Sequence, residues 1–357
     1  MTVFNTARAF RFRVEIRKRM FMSLRVLMSI GALAAAISAS VAAQVPSTPA
    51  KALSTAKVSA SPARTPEGQP DLQGVWSFAI LTPLERPDDL AGKATLTDQE
   101  AAEYARRKKD RENKDSRDGS GTDADVGKAY NDAWWDFGTK ASNQTSLIID
   151  PPNGKLPALT AEGQRRKMGW AASFLTGVPN GPEDRTLAER CILGFNSGPP
   201  MLPSAYNNNV RIVQTKDQVA ILNEMVHDTR IVPLDGRPHG TIRQWTGDSR
   251  GHWEGNTLVV DTINFTNSGT GVYAIALTTD ENLHLVERFT RRDAHTLTYE
   301  FTVTDPTIWT KPWTASVPMT LSNEPIFEYA CHEGNRGMVG ILAGARADEA
   351  AAKNKSK

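Results

Sequence analysis

Between Val219 and Ile231 the chain sets Asn223, Glu224, His227, Asp228 and Arg230 among Val, Ala, Ile, Leu and Met residues. A histidine among carboxylates is a natural acid/base pairing, because imidazole titrates near neutral pH and a carboxylate can fix its tautomer. Whether these groups meet depends on the element that carries them. Taken as one β-strand over 218–232, the stretch sends alternate side chains to opposite faces. One face reads Val219, Ile221, Asn223, Met225, His227, Thr229, Ile231; the other reads Ala220, Leu222, Glu224, Val226, Asp228, Arg230. The first is the better core face. Asn223 and His227 are therefore expected inward, with Glu224, Asp228 and Arg230 in an outer charged row. A base at His227 then needs its carboxylate from another strand.

The same alternation supplies one. In 283–291, Leu283, Leu285, Glu287 and Phe289 share the apolar face. A carboxylate there is costly unless it is paired or hydrogen-bonded. In 297–303 and 313–321 the inward residues are Leu297, Tyr299, Phe301, Val303 and Trp313, Ala315, Val317, Met319, Leu321. His227 as general base, Glu287 as orienting acid and Tyr299 as proton donor form the expected catalytic set. Asn223, Tyr206, Asn208, Phe289, Phe301, Trp313 and Tyr329 form the expected ligand-binding set, with the rings as stacking surface. The same residues also read as a satisfied buried network. A zinc site from His227, His284 and His332 is the alternative, although parity separates them and neither HExxH nor CxxC occurs. The sequence has no GxSxG, GxGxxG or P-loop, so no cofactor is implied.

These residues sit in a chain of 357 residues with ordinary globular composition, 39% hydrophobic and 23% charged. Its formal charge of +2 comes from the start. The first 43 residues hold seven Lys/Arg and one acid, and the remainder carries 35 basic against 39 acidic groups. That balance gives nucleic acid no electrostatic hold. Arg17, Lys18, Arg19 and Arg25 precede the apolar run 26–43, and Val41 and Ala43 fit the cleavage positions before Gln44. This is the pattern of a signal peptide starting at Met20 or Met22, with a retained anchor as the alternative. A periplasmic or secreted location is expected, with no membrane span after cleavage. Export favours pairing the two cysteines, Cys191 and Cys331, over leaving two buried thiols.

Residues 44–68 are rich in Pro, Ser and Ala and read as a flexible linker. Residues 69–200 read as a first strand plus a helix and loop extension. Thr97 and Glu100 make a capping box for one helix, Thr160 caps a second, and 186–193 suggests a short third. From 201 to 340 strands of period two follow one another, at 210–215, 218–232, 241–247, 257–265, 283–291, 297–303, 313–321 and 326–332. The tail 341–357 frays. The fold class is mainly β: an antiparallel meander curling into a barrel. Gly74-Val75-Trp76 at the mouth of the first strand resembles the lipocalin and wider calycin barrels, in which Gly-x-Trp closes the barrel base. Two features depart from that family: Thr304-Asp305 is followed by Pro306, and the chain before the meander is much longer. The blocks YNNN, EMVHDTRIVPLDGRPH, HWEGNTLVV, LHLVERFTR and YACHEGN also resemble a group of uncharacterised exported bacterial proteins, which brings no activity with it.

The expected function is an exported protein that binds a small amphipathic, sugar-like or aromatic molecule inside the barrel. The alternative is an exported acid/base enzyme of lyase or isomerase type acting on such a substrate.

Overall fold

The structure, a computed structural model, describes residues 63–111, 115, 134–175, 178–266 and 281–355. All lie in the compact unit Val58–Lys357. The expected signal peptide, residues 44–62 of the linker and, within the helix and loop extension, residues 112–114 and 116–133 fall outside the described residues.

Period-two burial builds the sheet. Among the described residues ten strands form it: β1 (Gly74–Ser77), β2 (Ile148–Asp150), β3 (Asn209–Gln214), β4 (Gln218–Asn223), β5 (Thr229–Pro233), β6 (Asp248–Glu254), β7 (Thr257–Ile263), β8 (His284–Arg291), β9 (Thr296–Thr304) and β10 (Trp313–Ser322). Their order across the sheet is β5-β4-β3-β1-β10-β9-β8-β7-β6, with β2 also paired to β10. Every pairing is antiparallel. The inward rows of β8, β9 and β10 fall as alternation requires, and Glu287, Tyr299 and Trp313 are all 0% exposed. Around them stand helices α1 (Asp98–Arg111), α2 (Ala161–Leu175), α3 (Cys331–Gly334) and α4 (Arg336–Lys355). The α1 capping box forms: Thr97 N–H donates to Glu100 Oε2 at 2.9 Å, and Glu100 N–H to Thr97 Oγ1 at 3.2 Å. Thr160 caps α2 through Gly163 N–H at 3.1 Å.

Several expectations need correction. The meander is not sequential, because β1 is inserted between β3 and β10. Residues 186–193 make turns held by the Thr186–Glu189 hydrogen bonds rather than a helix. The strands expected at 241–247 and 326–332 do not form, and β6 lies just beyond the first of these. The sheet is also not closed, since β5 and β6, at its two ends, share no hydrogen-bonded ladder. Side chains occupy the space between them instead. A Cβ on Gly251 of β6 would lie 2.8 Å from Val232 of β5 and 2.7 Å from Leu234 just after it. A side chain at 251 would have to displace both.

The correction with most consequence concerns 218–232. It is a hairpin, not one strand. Met225–His227 form a 3-10 turn in which Val226 has φ 60° and His227 φ 43°. The turn resets the alternation, so Arg230 and Val232 face inward while Thr229 and Ile231 are exposed. Glu224, expected outside, is buried as well. Inside the sheet Arg230 spans from β5 to β8. Its Nη2 donates to Glu287 Oε1 at 2.9 Å, its Nη1 pairs with Glu287 Oε2, and Nη1 also reaches Ser249 Oγ of β6 at 3.3 Å. A buried ion pair is strongly destabilised when one partner is removed. Arg230→Met is therefore expected to lower the unfolding free energy by about 3–5 kcal/mol in urea denaturation, and Glu287→Gln in the same chain to restore most of it. A single-variant loss below about 1 kcal/mol would contradict this assignment.

Candidate functional site

The expected catalytic set is divided. Glu287 and Tyr299 do meet, the Tyr299 hydroxyl donating to Glu287 Oε1 at 2.8 Å and accepting from Met201 N–H at 3.1 Å. Burial, seconded by the Glu287 carboxylate, pushes the Tyr299 phenol well above its ordinary value. His227 is exposed at the end of the 225–227 turn instead, and Arg230 takes its expected place beside Glu287. The interior rings pack on one another. Phe289 and Phe301 flank Tyr299 at 4.9 and 5.6 Å between centroids, and Trp313 meets Phe301 at 5.6 Å. At 1% exposure or less, these rings offer no open face.

The three histidines of the zinc alternative are likewise apart, and among the described residues no three His, Cys, Asp or Glu are grouped to hold a metal. His284 joins a different cluster, on the outer face of β6–β8. Its Nε2 meets Asp261 Oδ2 at 2.6 Å, and His239 Nε2 meets Asp261 Oδ1 at 2.9 Å. The bond to Asp261 raises the His284 pKa, and the bond to His284 lowers that of Asp261.

The remaining expected residues converge at one end of the sheet. There the segment 191–208 crosses the inner face, and residues 196–202 are all buried. A Cβ on Gly194 would sit 2.1 Å from Met225 Cγ, so the segment lies directly against the 225–227 turn. Asn196 Nδ2 donates to the Tyr206 and Asn207 carbonyls at 3.0 and 3.2 Å and to Asn208 Oδ1 at 3.2 Å. Asn208 Nδ2 holds the Asp136 and Ser204 carbonyls at 2.6 and 2.8 Å. Asn209 Nδ2 binds Glu224 Oε2 at 2.8 Å, and Glu224 Oε1 accepts from Phe327 N–H at 3.4 Å. Asn223 and Asp228 face each other across the hairpin end, where Asn223 N–H donates to the Asp228 carbonyl at 2.9 Å. Burial raises the half-buried Asp228 carboxyl, against the pull of Arg230 and His227. The disulfide Cys191–Cys331 ties the segment to the chain end at a Cα–Cα distance of 5.7 Å.

Half-exposed rings run along this end. Phe137 stacks on Trp135 at 5.2 Å, Trp135 meets Tyr206 edge-on at 6.4 Å, and Tyr206 stacks with Tyr329 at 6.3 Å. Phe195 abuts Tyr206 at 5.4 Å. A cleft of about 190 Å³ opens beside Trp135 and Phe137, with Leu81, Lys109 and Asp136 in its wall. Of the five described non-glycine residues with positive φ, four lie here: Cys191, Asn207, Val226 and His227. A β-branched residue such as Val226 in that region costs about 1–3 kcal/mol, and such positions gather at functional sites.

Tyr206, Asn208, Asn223, Tyr329 and both cysteines thus share one end of the fold. Sequence reasoning missed Trp135, Asn196 and Asp228. The aromatic run WWDF pointed to the first. Nothing local marked the other two, because the unbroken strand sent Asp228 outward and the Gly/Pro-rich run hid Asn196. No protein-family model, curated protein or solved structure matches this chain.

Two measurements follow from the side-chain pairs. The raised His284 pKa contributes stability in full below its ordinary 6.5, and loses it as pH rises through the elevated value. The lowered Asp261 pKa contributes in full above its ordinary 3.8, and loses it as pH falls. The Tm gap between wild type and Asp261→Asn is expected to be widest between those pH values; a gap independent of pH would contradict the pairing. For the disulfide, which closes a 140-residue separation, Cys331→Ser is expected to cost about 2–5 kcal/mol in denaturant unfolding.

Proposed function

We propose that this is an exported protein that binds a small amphipathic, ring-containing molecule, sugar-like or aromatic, at the end of the sheet crossed by residues 191–208. The row Trp135–Tyr206–Tyr329 carries the reading. Half-exposed aromatic faces beside amides and a carboxylate are what such ligands require, apolar area for stacking and a few placed polar groups for orientation. The filled interior moves the site from the middle of the sheet to its rim.

The export part rests on the disulfide, a pairing that suits an oxidising compartment rather than the cytoplasm, and on the signal-like first 43 residues. The periplasm is the compartment we assign. Among the described residues no helix is long and apolar enough to cross a membrane. The calycin-like part rests on the first strand. Trp76 is fully buried, its Nε1 donates to the Leu72 carbonyl at 2.9 Å, and the Arg291 guanidinium lies 5.3 Å over its ring. An indole so clamped pins β1 between β3 and β10, and the sheet curls towards a barrel without main-chain closure.

A thermal-shift panel of monosaccharides, disaccharides and phenols tests the binding reading. At least one class is expected to raise the Tm, and Tyr206→Ala or Tyr329→Ala to weaken it at least tenfold with the fold retained, about 1.4 kcal/mol of lost stacking. A panel without any binder, or a binder indifferent to both substitutions, would contradict it.

A further inference from the structure

Helix α1 and the segment 138–143 are fastened to the same stretch of chain. On the helix side, Ala101 and Ala105 are buried and Lys108 Nζ donates to the Leu81 carbonyl at 3.1 Å. On the other side, Leu81 N–H donates to the Lys140 carbonyl at 2.9 Å and Ser142 N–H to Thr82 Oγ1 at 2.7 Å. A Cβ on Gly138, whose φ is 79°, would lie 2.6 Å from the Ala79 carbonyl oxygen, so this segment presses on the chain just before Leu81. Between the two walls runs an open cleft of about 550 Å³. Lys109 and Thr139 line both this cleft and the smaller one beside Trp135 and Phe137, so the two adjoin.

The charges of the larger cleft are unequal. Arg106, Lys109 and Lys140 stand in its wall against one acid, Asp98, over an apolar stretch that includes Ala101, Ala102 and Ala105. Asp98 Oδ1 accepts from Asn143 Nδ2 at 2.7 Å. The three cations are exposed, and among the described residues their side chains form no ion pair or hydrogen bond. In the smaller cleft Lys109 is matched by Asp136. The positive field therefore lies on the α1 side and the rings on the other. Such a field attracts anions and repels cations. An inorganic anion meets the cations but leaves the alanines and the rings uncovered. A neutral ring covers the rings and leaves the cations unused. An aromatic acid engages both halves, since a carboxylate accepts charge-assisted hydrogen bonds from Lys and Arg while its ring stacks on an aromatic face.

We infer that the ligand of this end is a small aromatic carboxylate, with its ring against Trp135 and Phe137 and its carboxylate in the larger cleft on Lys109, Lys140 and Arg106. The inference rests on the ligand-binding reading above and narrows its ring compound to an acid.

Calorimetric titration of the oxidised chain with phenylacetate and 4-hydroxyphenylacetate, and with their uncharged amides, tests it. At least one acid is expected to bind, and its amide to bind weaker by about tenfold or more, the loss of a charge-assisted hydrogen bond. The double variant Lys109→Gln, Lys140→Gln is expected to weaken the acid by about tenfold or more and to leave the amide unchanged. Arg111→Gln removes an exposed cation of α1 that lines neither cleft, and is expected to change neither. Equal affinity for acid and amide, an equal loss in the Arg111 variant, or inorganic phosphate binding as tightly as the acid would overturn the inference. Binding by phenols or saccharides but by neither acid would overturn it too, and leave the aromatic site standing. Absence of binding by every compound would overturn both. The acid and amide comparison uses wild-type protein, so it decides the matter even where the double variant does not fold.

Discussion

A carboxylate at 0% exposure constrains everything around it. Glu287 projects into the apolar side of the sheet between Leu285 and Phe289, where an unpaired charge is too costly to persist. Its partner must come from another strand, face inward and span the distance, and Arg230 does so from β5. That demand fixes the alternation of the β4–β5 hairpin and requires a turn that shifts parity between them. Met225–His227 is that turn, and its left-handed Val226 and His227 are its conformational cost. One ion pair thus joins β5, at one end of an open sheet, to β8, and shapes the rim where the candidate site stands.

The consequences run outward from the turn. His227 is displaced to solvent, Asn223 and Asp228 end up across from each other, and Glu224 is drawn in to Asn209 and Phe327. The segment 191–208 fits against Met225 because Gly194 has no side chain, and it closes the network by donating Met201 N–H to Tyr299. The disulfide fastens both ends of this assembly. The interior is filled, the rim carries four of the five described non-glycine residues with positive φ, and a row of half-exposed rings borders it.

Much of this was legible in the sequence and some was not, for physical reasons. Strands β8 to β10 alternate cleanly because one face is core throughout, so Glu287 and Tyr299 were placed correctly. The capping box at Thr97 and Glu100 and the pairing of Cys191 with Cys331 follow from local or compartmental chemistry, and both form. The 225–227 turn carries no glycine, proline or asparagine, so nothing local announces it, and the parity of Asp228 to Ile231 just beyond it was read inverted. Strand β6 was missed because DSRGHWE has no apolar alternation; it is buried through Ser249 and Gly251, small residues under a neighbouring edge. The insertion of β1 between β3 and β10 is a long-range pairing that periodicity does not encode.

The central claim is that recognition occurs at the rim and not among the interior rings. Chemical-shift mapping by NMR with the tightest-binding ring compound of the thermal-shift panel tests it most directly. The account predicts perturbations at Trp135, Tyr206 and Tyr329, with Phe289, Phe301 and Trp313 unmoved. Shifts concentrated on those three interior rings, with the rim silent, would contradict it.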